Sequence, residues 1–396
     1  MGGSNVVNVM KRFWVGHRIL MIALPAVVIV IVLAGGLLLV SASGRTVQAS
    51  ATLISAMMPT PSPTPSPTPF ITPSPTPTPN LGPTPIPSGW AYSDLDGVPA
   101  PANLAHREPI AVMIDDQVIA RPQSGVSSAS IVYQAPADGN QDRYMLVFQE
   151  GTAQSVGPVR SVRTYYVVWA EEYKAVLGHF GGDSISLKKL IPAATRAKTL
   201  YNMDALRFHQ DCPYHRIKTR PAPHNAYTNT KVLYECAAYL KYPTMYQNLP
   251  DRAFRDDSPP ASRPTSQTIT IAYPTGTIGY KFSPGTDSYL RLVSGKPELD
   301  PANNLYVYAR SIVVMYQVKT ISANAEAGHP GRPDIATTGS GKCLIFQEGK
   351  EIVGTWKKKN ATALTRFYDA SGKEIPLVRG EIFIQSIQKS YAVTVQ

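Results

Sequence analysis

The chain has 396 residues, 38 Lys+Arg against 27 Asp+Glu, a net charge of +11, 36 prolines and three cysteines. That length exceeds one ordinary domain, and an odd number of cysteines excludes a fully paired disulfide framework. Moderate positive charge without a basic stripe points to anionic polymers or lipid surfaces before nucleic acid, and no nucleic-acid partner is expected. The lysine run 357–359 reads as a solvated strand end.

Residues 1–18 form a short segment carrying Lys11, Arg12 and Arg18. The run Ile19–Val40, "ILMIALPAVVIVIVLAGGLLLV", then offers 22 uncharged and mostly apolar residues. As a helix it spans about 33 Å, enough for a hydrocarbon core of about 30 Å. It is longer than a cleavable signal core. With the positive charge ahead of it, the run predicts an uncleaved signal-anchor with a cytoplasmic N-terminus and extracytoplasmic remainder. The competing reading is a signal peptide cut near Ser41–Gly44. No cysteine follows the apolar run closely, so a lipid-modified anchor is not expected.

Residues 41–89 are a Pro/Thr/Ser-rich spacer, with thirteen prolines between Pro59 and Pro87. Fixed φ and missing amide donors exclude a helix or sheet there. A polyproline spacer of that stretch reaches up to about 90 Å. Only four Lys+Arg and no Asp or Glu precede residue 90, which leaves the remainder at +7.

From 90 to 250 strand and helix signals alternate. "PIAVMID" (109–115), "SIVYQA", "RYMLVF" and "AVLGHF" read as strands, and "VRTYYVVWAEEYKA", "GGDSISLKKLI" and "TKVLYECAAYLKY" as helices. Arg160 and Arg163 would share one face if they stood in the first turn of the first helix. The polar stretch 251–267 reads as a linker. Beyond it, 268–396 is dominated by strands separated by turns such as "SGK" and "EGK", which predicts a small antiparallel sandwich or curled sheet. The fold class expected is therefore α+β: a mixed α/β layered domain, then a β-rich antiparallel domain. Cys212 and Cys236 have the option of a bridge outside the cytoplasm. Cys343, in "CLIF", reads as a small buried residue.

In order along the chain, "AVMIDDQVIARPQSG", "ASIVYQAPADG", "GPVRSVRTYY", "HFGGDS" and "RPAPHNAYT" resemble the motifs of the YerB-like family. "YLRLVSGKPELD", "GSGKCLIFQEGKEIVGTWKK" and "RFYDASGKEI" resemble its C-terminal domain. The resemblance covers most of 104–390. It implies an extracytoplasmic protein of two linked domains, and no particular reaction. The chain departs from the family pattern at Gln134 and Asp138, where Glu is usual, and at "GNQDR" in place of "GGITR", of which Gly139 and Arg143 survive. It also has Glu298 where His is common, and it lacks the family's frequent lipidated cysteine. Gln134 cannot ionise, which removes one carboxylate from any acid/base pair there.

The candidate ligand-binding residues are Arg121, Arg143, Arg160, Arg163, Asp183, Arg216, His224 and Asn225. Guanidinium forks suit phosphate or carboxylate, and the ends of strands in a layered α/β domain form crevices. Arg160 and Arg163 lead this anion pocket, with Arg121 and Arg143 as further contributors. In the competing reading the arginines pair with Asp115, Asp116, Glu171 or Glu172 and pin turns. Asp115 and His179 are the candidate acid/base residues, His179 because Gly181-Gly182 lets a ligand approach the backbone. His209, Cys212, His215 and His224 match no strong zinc spacing, and neither metal nor cofactor is expected. Tyr273, Tyr280, Tyr289, Tyr306, Tyr308 and Trp356 either stack on sugars or pack within strands.

The function expected is an envelope binding module for an anionic glycopolymer, phospholipid head group or polyprenyl-phosphate. The alternatives are an envelope enzyme acting on a phosphorylated glycan or lipid, and a protein–protein scaffold whose arginines are purely structural.

Overall fold

The computed structural model describes residues 86–208, 212, 214–246, 252–321 and 332–396. The expected anchor at 19–40, nearly all of the spacer, and His209 lie outside them. No helix among the described residues is long and apolar enough to cross a membrane.

Fourteen strands carry the architecture. They are β1 (Ile110–Asp115), β2 (Ile131–Pro136), β3 (Asp142–Phe148), β4 (Val176–His179), β5 (Tyr201–Asp204), β6 (Thr268–Tyr273) and β7 (Gly276–Ser283). The rest are β8 (Ser288–Val293), β9 (Ser311–Tyr316), β10 (Gly339–Gln347), β11 (Lys350–Lys358), β12 (Arg366–Tyr368), β13 (Ile382–Ile387) and β14 (Val393–Val395). Three helices pack with them: α1 (Thr164–Glu171), α2 (Ile191–Ala197) and α3 (Thr230–Tyr239).

Ten of the strands form one sheet in the order β12-β11-β10-β9-β13-β2-β3-β1-β4-β5. Half of that sheet comes from before residue 251 and half from after it. The seam is a parallel ladder, β13 on β2, with Phe383 opposite Val132 and Gln385 opposite Gln134. Residues 268–396 thus build no single antiparallel sheet of their own, contrary to the sequence expectation. They divide between this shared sheet and a second, antiparallel one in which β8-β7-β6-β14 are the main strands.

Side-chain patterning explains the division. β1, β2, β3 and β13 are buried at every position, as continuous apolar runs covered on both faces require. In β6, Ile269, Ile271 and Tyr273 alternate with more exposed neighbours, the signature of a sheet with one covered face. Alternate residues of the shared sheet enter different cores. Val112, Ile114, Leu146 and Val314 pack against Ile269, Ile271 and Tyr280 of the second sheet. Ala111, Met113, Val147 and Leu177 pack against Tyr165, Tyr166 and Trp169 of α1. The molecule is therefore layered, with helices α1 and α2 on one face of the central sheet and the second sheet on the other.

Helix α1 begins at Thr164, with Arg163 as its extended N-cap. Arg160 therefore sits in the preceding extended segment, and the two arginines do not share a first helical turn as the sequence suggested. Gly157 of the same segment faces the Tyr227 ring, where a Cβ would lie 2.6 Å from Cδ1; this contact is what requires glycine there. Cys212 and Cys236 form a disulfide that ties α3 to the loop after β5. Cys343 is buried and unpaired, its thiol pushed up to about 12 by burial.

Candidate functional site: the basic edge of the shared sheet

Strands β9, β13 and β2 run parallel to one another. β1, β4 and β5 are likewise mutually parallel. β3 is antiparallel to both β2 and β1, so all six strands point the same way. Their carboxyl ends line one edge, where chain reversals leave polar side chains and backbone groups without ladder partners. Asp115 and Asp116 follow β1 there, Asp138 follows β2, and Asp142 and Arg143 open β3.

At the end of β1, Asp115 is fully buried and is engaged from two sides. His224 donates from Nδ1 to Oδ2 at 2.7 Å, and Arg160 Nε approaches the same oxygen at 3.1 Å. The carboxylate fixes the imidazole tautomer, and Nε2 has no hydrogen-bond partner among the described residues. Asp116 turns inward instead. Arg121 Nε and Gln123 Nε2 both donate to its Oδ1 at 2.9 Å, and Gln134 donates to Oδ2 at 3.1 Å. Both carboxylates are thus engaged by protein donors. No group of three metal-ligating side chains occurs among the described residues.

The turn between β2 and β3 gathers the other arginines. Arg163 grips Asp138 with two parallel hydrogen bonds, from Nε and Nη2. Arg332 approaches the same carboxylate at 3.4 Å. Burial opposes ionisation of Asp138, but the Arg163 hydrogen bonds and the charges of Arg163, Arg143 and Arg332 outweigh it and hold the carboxyl at about 2. Arg143 lies beside Arg163 and donates from Nη1 to the Ser161 carbonyl at 2.7 Å. It makes no ion pair with a carboxylate among the described residues. Burial and the Arg163 charge push it down to about 10. Two neighbouring guanidiniums thus stand side by side, Arg163 paired with Asp138 and Arg143 bonded to a backbone carbonyl, an arrangement that a further anion would relieve.

The other predicted residues have local duties. Asp183 caps the start of the next helical segment, accepting from the Ser186 amide at 2.9 Å and from its hydroxyl at 2.6 Å. Arg216 donates to Asn225 Oδ1 at 2.6 Å and covers the Phe180 ring. His179 is fully buried, with Nδ1 2.9 Å from the Gly181 carbonyl and Nε2 2.8 Å from Asn202 Oδ1. Both ring nitrogens are occupied, so its surroundings are those of a strand-end strut. Cys212, in the disulfide, is lost to any zinc cluster. Of the aromatics, Tyr273, Tyr280, Tyr289 and Trp356 are buried, and Tyr306 and Tyr308 are exposed.

Sequence reasoning missed the residues that β9 and β13 bring to the same edge. Lys319 follows β9, Lys389 follows β13 and Lys342 lies in β10, where it stands over the Tyr316 ring. They line a cleft of about 590 Å³ with Thr338, Ser340 and Trp356. Lys319 reaches across to Asn140 Oδ1 at 2.6 Å, which joins the cleft to the Asp138 turn. The missing signal was the parallel pairing of β13 with β2, because no local motif states it.

Deep to this edge, the shared sheet meets the second sheet through a buried polar joint. Arg291 of β8 is fully buried and donates to Glu298, to Tyr280 and Tyr144 hydroxyls, and to Gln134 Oε1. Asp142, also buried, accepts from Thr275 at 2.9 Å. Burial, with repulsion from Asp116, pushes its carboxyl up to about 7.

Two family models match, described as the N-terminal and C-terminal domains of a protein of unknown function (DUF3048), over residues 95–243 and 269–384. The chain is 28% identical over 302 residues to the "Putative lipoprotein YerB" of Bacillus subtilis (strain 168), covering 74% of this chain and 85% of that one. Its fold matches the crystal structure of the YerB protein from Bacillus subtilis with a TM-score of 0.67 at 24% identity, over 77% of this chain and 99% of that one.

Proposed function

Because the chain belongs to the YerB-like (DUF3048) family, we propose that it is a membrane-anchored, extracytoplasmic binding module whose basic sheet edge takes an anionic envelope ligand. The observation that carries this reading is the neighbouring pair Arg143 and Arg163, of which Arg163 is paired with Asp138 while Arg143 donates to a backbone carbonyl, at the carboxyl ends of the parallel strands. An oxyanion placed beside them would receive charge-assisted hydrogen bonds and would offset the mutual repulsion of the two cations. The relative's name supports an anchored, external location. This chain's first cysteine is Cys212, so on this reading the anchor is the apolar run 19–40 and not a lipid.

Thermal unfolding tests the proposal. Phosphate, pyrophosphate and tripolyphosphate are expected to raise the midpoint of the wild type in a concentration-dependent way. Arg143→Gln/Arg163→Gln should fold and lose that rise. If no anion shifts the wild-type midpoint, or if the double variant responds like wild type, the reading fails.

One observation favours a second reading, an envelope enzyme. The buried Asp115 carboxylate orients His224 at the same sheet edge, as a general base is oriented in hydrolytic sites. Release of phosphate from a phosphorylated glycan, abolished by His224→Gln with anion binding retained, would select the enzyme over the binder.

A further inference from the structure

The arginine cluster and the lysine cleft are parts of one surface. Order within the shared sheet places β9, which leads into Lys319, four strand positions from β1, which leads toward Arg160. At about 4.8 Å per step, that distance is about 19 Å. A single phosphate or pyrophosphate cannot bridge it. Between the two ends, Lys319 contacts Asn140 in the turn that holds Asp138, so the surface is continuous.

The cleft end has the features of a binding surface and not of a pinned joint. Lys342 and Lys389 are exposed, and neither makes an ion pair among the described residues. Among the described residues the cleft lining contains no carboxylate. Its floor is fixed: Trp356 Nε1 donates to the Tyr316 carbonyl at 3.1 Å, and a Cβ at residue 341 would lie 2.6 Å from that Nε1, so only glycine fits beneath it. Burial shifts Lys319 downward from the ordinary lysine value, which is the cost an anion beside it would remove. The opposite edge of the sheet differs. There Arg255, Arg310 and Arg379 are paired with Glu348, Asp257, Asp287 and Asp256.

Resting on the anion-binding reading above, we infer that the ligand is an extended linear polyanion, with a negative charge on each repeat, lying across the sheet edge from the Lys342–Lys389 cleft to the arginine cluster. Several weak contacts along one chain act as a multivalent set, so affinity grows steeply with polymer length.

Binding of the full-length protein in neutral detergent to tripolyphosphate and to long-chain polyphosphate, measured at several salt concentrations, tests this. Long-chain polyphosphate should bind about 100-fold or more tightly than tripolyphosphate, with a steeper salt dependence. The exposed pair Lys342→Glu/Lys389→Glu should remove most of that gain. The control pair Lys281→Glu/Lys296→Glu, exposed on the second sheet, should keep it. Equal affinity for both probes, or an equal loss in the control pair, overturns the extended site while leaving the arginine site standing. Failure of both probes to bind the wild type overturns the anion reading itself, and the polymer inference with it.

Discussion

Asp142 shows how a single residue reports its surroundings. Its carboxyl is buried between the two sheets and raised from 3.8 to about 7, by burial first and then by the Asp116 charge. The folded protein therefore keeps a proton that the unfolded chain releases from about pH 4 upward. Stability from this group is accordingly greatest in acid and falls as pH rises from about 4 to about 7, by on the order of a few kcal/mol. Asp142→Asn is expected to flatten that slope. Urea unfolding should find the variant close to wild type at pH 4 and more stable at pH 8; an unchanged slope would mean the proton sits elsewhere. The same joint explains two departures from the family pattern. Gln134 accepts from Arg291 and donates to Asp116, while Glu298 supplies the carboxylate that Arg291 requires. The amide at 134, read from sequence as a loss of acid/base chemistry, is thus also a buried hydrogen-bond partner of Arg291.

Among the elements, α3 is held by more than its own sequence. Asn229 caps it by accepting from the Val232 amide at 2.9 Å, and its Leu233, Cys236 and Ala237 face the core. The Cys212–Cys236 bridge closes a separation of 24 residues, for which chain entropy assigns about 3 kcal/mol. Reduction should lower the unfolding midpoint of the wild type and leave Cys212→Ser/Cys236→Ser unaffected, with the double variant melting where reduced wild type melts. Equal melting of oxidised and reduced wild type would show the bridge to be energetically idle. Most of these elements were legible in the sequence. The strands "TITIAY" and "SYLRLV" coincide with β6 and β8, and the helices near 164 and 230 stand where periodicity placed them. Half of the candidate site was legible too, because Arg143, Arg160, Arg163 and Asp115 lie next to turns that announce themselves. Lys319, Lys342 and Lys389 were not. Each looks like an ordinary solvated lysine until a parallel ladder between residues 251 positions apart, Ile382 opposite Ile131, brings it to the same edge. Pairing of that range leaves no local trace, since the period of a strand says which face is buried and never which strand is its neighbour. His179 is the converse case: a histidine before two glycines reads as a reactive site, and in the fold its two nitrogens lie against the Gly181 carbonyl and Asn202.

For the molecule as a whole, the decisive fact is that the two matched segments, 95–243 and 269–384, share one sheet. Neither segment can satisfy the backbone of β2 and β13 alone, because each strand is buried on both faces and bonded along the other. Expressed separately, the two segments should give collapsed or aggregating chains without the dispersed amide spectrum of a native fold, whereas co-expression should restore it. A well-folded N-terminal segment by itself would refute this. The position of β13 also bears on how the protein is made. Ile382–Ile387 leaves the ribosome after every other strand of its sheet, yet it belongs near the middle, between β9 and β2. Until it arrives, β2 presents an open edge of unpaired amides among apolar side chains, a template for wrong partners. The common route in which the first domain folds while the second is still being synthesised is closed to this chain. Translation has to pass Ile387 before the sheet can be completed, so the nascent protein depends for its safe passage on whatever shields that edge in the interval.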